Sequence, residues 1–267
     1  MPTLRVNGTE LYYEDTGGDG PPLVFSHGLL WSTKMFAPQI ERLRGRFRCV
    51  AYDHRGQGRS AADPARSISM ETCAEDAAAL IEALGLGPCH FLGLSMGGFV
   101  AMRLAARRPQ LLRSCLLLET SADPEPVPSR KKYRVLNLIF RTIGPWPVAG
   151  AIMKVMFGAS FFTDPAKAER RRVWHQEVLA ARRDIWRAVN GVLERDGVYE
   201  EIAGIRIPTL VLVGEEDVAT IPEKAERIAA QIPGAKLVRI PKAGHTSTIE
   251  EPEAVTDAIE RFIDSLP

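Results

Sequence analysis

Three residues along the chain are of the types that acyl-transfer chemistry needs, and each follows an apolar run. Ser95 stands in GLSMGG, where Gly93 and Gly97 flank it in the G-x-S-x-G spacing of a strand–turn–helix elbow. A tight turn crowds the backbone around such a serine, so glycine is expected at both flanking positions. The helix that follows would aim its first amides at an oxygen gaining charge during attack. Asp217 follows TLVLVG in the stretch VGEEDVAT, and His245 follows AKLVRI in IPKAGHTS. Serine is a poor nucleophile until a histidine takes its proton, and a carboxylate holds that histidine in the right tautomer. His27 and Gly28 close a further run in FSHGLLW. The main-chain amides of Leu29 and Met96 are the two expected oxyanion donors.

Each feature alone has a plainer reading: a Gly-Ser turn, a βα loop with a satisfied histidine, a solvated acidic loop, a surface histidine. A dinucleotide loop fits worse, because G-x-G-x-x-G needs glycine where Ser95 stands. Together, in the order serine, acid, histidine, the residues predict a nucleophile–base–acid relay. The acid has a rival. Glu119 also ends a strand-like run, SCLLLE, but it borders the Pro-rich stretch SADPEPVPS. Asp217 lies one strand–helix unit before His245, which favours it.

These residues need strand ends to hold them. ELYYED alternates as a hairpin strand, and PLVFSHG and FRCVAYD are short apolar runs of the buried parallel type. METCAEDAAALIEALGL has helical periodicity and ends at Gly85 and Gly87. CHFLGL, the helix MGGFVAMRLAARR stopped by Pro109, and SCLLLET continue the alternation. It fails between about Ser121 and Ile205, where PAKAERRRVWHQEVLAARRDIWRAVNGVL reads as helical, and resumes with TLVLVG, EKAERIAAQI, AKLVRI and EPEAVTDAIERFIDSL. A strand–helix series interrupted by a helical insertion predicts a doubly wound sheet with a cap. The expected core is residues 1–120 and 206–267, and the expected cap is 121–205.

The chain has 267 residues and a formal charge of +1, so no global field recruits nucleic acid or an anionic membrane. No apolar run approaches the ~20 residues that span a bilayer, and no signal peptide is legible at the N-terminus. Cys49, Cys73, Cys89 and Cys115 have no metal spacing and read as buried free thiols of a reducing cytoplasm. No metal or organic cofactor is expected. The basic runs ERRRVW and AARRD read as solvated helix faces. The large apolar residues Trp146, Met153, Met156, Phe157, Phe161, Phe162, Trp174 and Trp186 read by default as cap core, with a few lining a pocket.

On SHGLL, AYDHRGQGRS, GLSMGG, LVGEEDVATIP and PKAGHTSTIEEPE, which run from Val24 to Pro252 outside the cap, the sequence resembles the α/β-hydrolase-fold serine hydrolases. It is most similar there to the 3-oxoadipate enol-lactonase, arylesterase and cofactor-free haloperoxidase group. The resemblance implies an eight-stranded, mostly parallel sheet and assigns the triad to Ser95, Asp217 and His245. It implies that Asp53, His54 and Arg55 anchor a loop and do not touch substrate. A serine nucleophile argues against dehalogenase and epoxide hydrolase activity, and the leucines of HGLLW argue against perhydrolysis. The implied activity is hydrolysis of a small carboxylic ester or lactone. A C–C bond or thioester hydrolase, and a slow-turnover ligand sensor, are the alternatives.

Overall fold

The computed structural model describes residues 2–266. Eight strands form one sheet: β1 (Thr3–Val6), β2 (Thr9–Asp15), β3 (Pro22–Ser26), β4 (Arg48–Tyr52), β5 (Cys89–Leu94), β6 (Leu112–Leu118), β7 (Thr209–Gly214) and β8 (Lys236–Ile240). Their order is β1-β2-β4-β3-β5-β6-β7-β8. β1 and β2 pair antiparallel across a turn in which Asn7 and Gly8 both have positive φ, the backbone that a two-residue hairpin requires. β2 joins β4 antiparallel, and from β4 through β8 every pairing is parallel. β5 and β7 are buried at every residue, which explains their unbroken apolar runs.

Outside the insertion the helices are α1 (Ala37–Leu43), α2 (Met70–Ala83) and α3 (Met96–Arg107), then α10 (Pro222–Gln231), α11 (Ser247–Glu250) and α12 (Pro252–Asp264). α1, α11 and α12 pack together, and α2 packs on α3, which lies against β5 and β6. The Ser69 hydroxyl caps α2 by accepting the Thr72 N–H at 3.0 Å. This is the doubly wound α/β architecture. Among the described residues, no helix is long and apolar enough to cross a membrane.

Between β6 and β7 lie α4 (Val127–Thr142), α5 (Ala149–Met156), α6 (Ala159–Thr163), α7 (Ala168–Ala180), α8 (Trp186–Glu194) and α9 (Tyr199–Ile202). We propose residues 121–205 as the cap. α9 packs against α3 and α10, whereas α4 packs against α8 and α5 against α7. The expected long helix from Pro165 to Leu193 is broken. Ala181 and Arg182 are extended, with ψ of 140° each, although neither is a helix breaker. Tertiary bonds decide this: the Arg182 guanidinium donates to Ser60 O at 2.7 Å and pairs with Asp184. The basic runs expected to be solvated are likewise staples. Arg170 donates to Ile249 O, Arg171 to Phe161 O and Arg183 to Ile143 O, at 2.9, 2.7 and 3.0 Å.

Candidate active site

In an open parallel sheet, side chains converge beyond the carboxyl ends of the strands where the winding reverses. Here β3 and β5 are neighbours at that point, and the Ser95 turn lies close to the loop after β3. A Cβ on Gly28 would meet Leu94 Cδ2 at 3.1 Å. Ser95 itself has φ 54° and ψ −108°, outside the usual helix and strand regions. Its N–H donates to Leu118 O at 2.8 Å, and its carbonyl accepts the Thr120 hydroxyl at 2.9 Å, so the end of β6 holds the strained turn from both sides of its peptide. The flanking glycines are there for space. A Cβ on Gly93 would lie 2.1 Å from Gly97 O, and one on Gly97 would lie 1.9 Å from Ser26 O.

The structure brings the three side chains into one line. Ser95 Oγ lies 2.8 Å from His245 Nε2, and His245 Nδ1 lies 2.9 Å from Asp217 Oδ2. An ionised carboxylate only accepts, so the proton is on Nδ1, and Nε2 is left to accept from the serine hydroxyl. Asp217 is nearly saturated. Its Oδ1 accepts the N–H groups of Ala219 and Thr220, and its Oδ2 also accepts the Thr220 hydroxyl at 2.8 Å. Thr220 is thus a second holder of the acid. Its place two residues before Pro222 gave no sign of that.

Leu29 lines the same cavity as Ser95, and Met96 follows the serine at the start of α3. Among the described residues, neither N–H has a hydrogen-bond acceptor. The Gly28–Leu29 peptide is held from its carbonyl side, where Gly28 O accepts Trp31 N–H at 3.2 Å and His27 Nδ1–H at 2.7 Å. His27 Nε2 accepts the His54 N–H at 3.0 Å, which fixes this tautomer. Burial holds both imidazoles below their ordinary pKa, His54 strongly so, and they stay neutral. Asp53, His54 and Arg55 are buried anchors, as expected. Asp53 accepts the N–H groups of Thr33 and Arg59 at 2.8 Å each, and Arg55 pairs with Asp76 and Asp63.

Gln57 and Glu250 were not singled out as candidates. Gln57 Oε1 accepts the Leu30 N–H at 3.1 Å, where Leu30 has φ 75°, and its Nε2 contacts Met96 Sδ at 3.2 Å. One amide thereby links the turn after β3 to the start of α3. Glu250 accepts the Gly244 N–H at 2.9 Å and the Thr246 N–H at 3.2 Å, the amides on either side of His245. It also accepts the Gly158 N–H of the cap at 2.9 Å. Desolvation pushes the Glu250 carboxyl up to about 7, against the lowering effect of its backbone bonds. Glu216, next to Asp217 in the same acidic loop, accepts both the N–H and the hydroxyl of Ser160.

Glu119, the rival acid, points elsewhere. Its Oε1 accepts the Gly214 N–H at 3.0 Å, while Oε2 is buried beside the Ser247 hydroxyl without closing a hydrogen bond. Full burial, then the charge of Asp217, push its carboxyl well above the usual range.

Ser95 and His245 open onto a cavity lined mostly by apolar side chains. Leu29, Leu30 and Phe99 form its floor, and α4, α5 and α8 supply Leu136, Phe140, Ile152, Val155, Val189 and Val192. Of the eight large cap residues considered from sequence, only Met156 lines it. Phe157 and Phe161 stack with centroids 4.3 Å apart in the cap core. Trp146 departs from the core expectation: it is 80% exposed. Its flanking prolines place it on a turn between α4 and α5, beyond the packed helix faces. The four cysteines are buried and free. Among the described residues, no group of three or more His, Cys, Asp or Glu could hold a metal ion.

Comparison with known proteins places this geometry. A curated relative from Pseudomonas syringae pv. syringae named "Putative carbamate hydrolase RutD" is 29% identical over 251 residues, covering 93% of this chain and 96% of that protein. A thermophilic esterase from Thermogutta terrifontis superposes with a TM-score of 0.89 at 33% identity, covering 98% of this chain and 96% of that one. The enol-lactonase from Burkholderia xenovorans LB400 superposes with a TM-score of 0.91 at 28% identity, covering 99% and 100%. The family model for the alpha/beta hydrolases matches residues 23–258, and the chain belongs to that family.

Proposed function

We propose that the protein is a serine hydrolase that cleaves a small carboxylic ester or lactone through an acyl-enzyme on Ser95. The observation that carries this reading is the Ser95–His245–Asp217 relay opening on a predominantly apolar cavity. His245 Nε2 takes the hydroxyl proton as Ser95 Oγ attacks the carbonyl carbon. The carbonyl oxygen gains charge and is received by the Leu29 and Met96 amides. His245, now protonated and steadied by Asp217, gives its proton to the leaving alcohol. Water then attacks the acyl-enzyme, with His245 again as base, and the acid departs. In a lactone the alcohol stays tethered, so ring opening yields a single hydroxy acid.

The esterase and lactonase among the structural relatives support this reading. The relatives named as carbamate hydrolases raise the same machinery acting on a carbamate. A small polar carbamate would leave the aliphatic walls from α4, α5 and α8 unfilled, whereas an acyl or alcohol arm would bury against them at ~25 cal/mol per Å2. We place the protein in the cytoplasm, in keeping with its four free buried thiols. The test is a panel of p-nitrophenyl esters, lactones and carbamates with the wild type and Ser95→Ala. The proposal requires multiple turnover on esters or lactones and its loss, by several orders of magnitude, in the folded variant. A fluorophosphonate should label Ser95 once. Labelling at another serine with activity retained in Ser95→Ala would refute the mechanism, and preference for carbamates would refute the substrate class.

A further inference from the structure

α4 carries two faces of different chemistry. Tyr133, Leu136 and Phe140 turn inward and line the cavity of Ser95. On the opposite face, exposed residues recur at helical spacing, and Val135 and Leu138 are each 59% exposed. The apolar surface continues past the helix through Ile143 at 62% and Trp146 at 80%. Pro145 and Pro147 flank the tryptophan and restrict the turn that presents it. Single exposed apolar residues need no explanation, but four within twelve residues, on one helix and the turn after it, mark a contact surface.

Charge decides what that surface meets. From Val127 to Trp146 the sequence holds five basic residues and no acidic one, although the whole chain is only +1. Lys131, Lys132, Arg134 and Arg141 are exposed. Arg134 approaches a carboxylate, Glu194, only at 4.0 Å, and Arg141 lies over the Trp186 ring, which leaves its charge uncompensated. A second copy related by a two-fold axis would set this basic face against its own image. An anionic partner is favoured instead, and aliphatic side chains with a tryptophan among bases suit a lipid boundary better than a rigid acidic protein.

We propose that the outer face of α4 and the turn after it dock on an anionic bilayer surface. The lysines and arginines meet lipid phosphates, and Leu138, Ile143 and Trp146 enter the headgroup boundary. Because the inner face of the same helix walls the cavity, the docked molecule holds its cavity beside the membrane, where apolar esters partition. Docking itself does not depend on which bond Ser95 cleaves.

The test is co-sedimentation of the full chain with vesicles of phosphatidylglycerol and phosphatidylcholine in equal parts, against phosphatidylcholine alone, at low and high salt. Wild type and Ser95→Ala should bind the anionic vesicles alike, and salt should weaken both, so a failed hydrolase assay and a failed docking assay read separately. Lys131→Glu with Lys132→Glu should lower the partition at least about tenfold, and Trp146→Ser should lower it with unchanged turnover of a short soluble ester. Binding equal to both vesicle types, or to neither, would overturn the proposal. So would a dimer that Leu138→Ser with Trp146→Ser dissociates in ultracentrifugation without changing vesicle binding.

Discussion

Asp217→Asn and Glu119→Gln exchange a carboxyl for an amide at two neighbouring strand ends, and the structure separates their consequences. Asp217 Oδ1 satisfies the backbone N–H groups of Ala219 and Thr220 at 2.8 and 3.0 Å. An asparagine has one carbonyl oxygen, and leaving those buried donors unmet would cost about 1–3 kcal/mol each. The oxygen therefore stays on the amides, and the NH2 group turns to His245 Nδ1, where Oδ2 now accepts at 2.9 Å. The ring must then accept at Nδ1 and carry its proton on Nε2. In that tautomer it cannot take the proton of Ser95, 2.8 Å away. The expected loss in kcat is about 10⁴-fold, or roughly 5.5 kcal/mol of barrier. Burial disfavours the charged form of Glu119, and a glutamine keeps an oxygen on the Gly214 N–H and a donor toward Ser247. Its turnover should stay within about threefold of wild type, less than 1 kcal/mol of barrier. Both variants are compared with p-nitrophenyl acetate after circular dichroism has shown them folded. If Glu119→Gln lost more activity than Asp217→Asn, the acid would belong to Glu119 and the reasoning would fail.

Other expectations follow from the same contacts. Gly97→Ala forces a Cβ to 1.9 Å from Ser26 O, so it should cost at least about 3 kcal/mol in urea unfolding; an unchanged midpoint would contradict the close approach. Gln57→Leu removes the acceptor that holds Leu30 N–H and should lower kcat about tenfold with little change in KM; a change in KM alone would place Gln57 in substrate binding. Glu250 has a folded pKa of about 7, above its ordinary value of 4.5, so the folded state binds its proton more tightly. Its stabilising contribution is complete below the unfolded pKa and is lost as pH rises through 7, on the order of 3 kcal/mol between the two. Unfolding of the wild type relative to Glu250→Gln, followed across this window, should show that decline, and parallel curves would refute it. Phe140→Ala and Val189→Ala enlarge the cavity and should shift ester preference toward longer arms, leaving p-nitrophenyl acetate turnover within a few-fold; an unchanged chain-length profile would remove these residues from the pocket.

Local pattern and local chemistry were legible together around the relay. CHFLGL and TLVLVG are strands because both faces are covered, and a run without alternation says so directly. Gly93 and Gly97 bracket Ser95 for want of room, a constraint written in residue type. Less was legible in the cap. Its long helix breaks at Ala181 because Arg182 reaches Ser60 O, a partner more than a hundred positions away. Of the large cap residues read by default as core with a few lining a pocket, Met156 alone lines the cavity, and aliphatic residues of α4, α5 and α8 supply most of its walls. Side-chain type records that a residue is apolar, not which neighbour it turns toward.

The sequence by itself determined the strand–helix alternation, the crowded serine turn and the order of serine, acid and histidine, because each depends on spacing along the chain. Only the tertiary structure decided that Asp217 meets His245 while Glu119 turns to Gly214, although both end strands. It alone joined Glu250 to the amides flanking the histidine and Gln57 to both Leu30 and Met96. These contacts are distances of about 3 Å between groups far apart in sequence. The folded backbone sets them, and no periodicity in the chain encodes them.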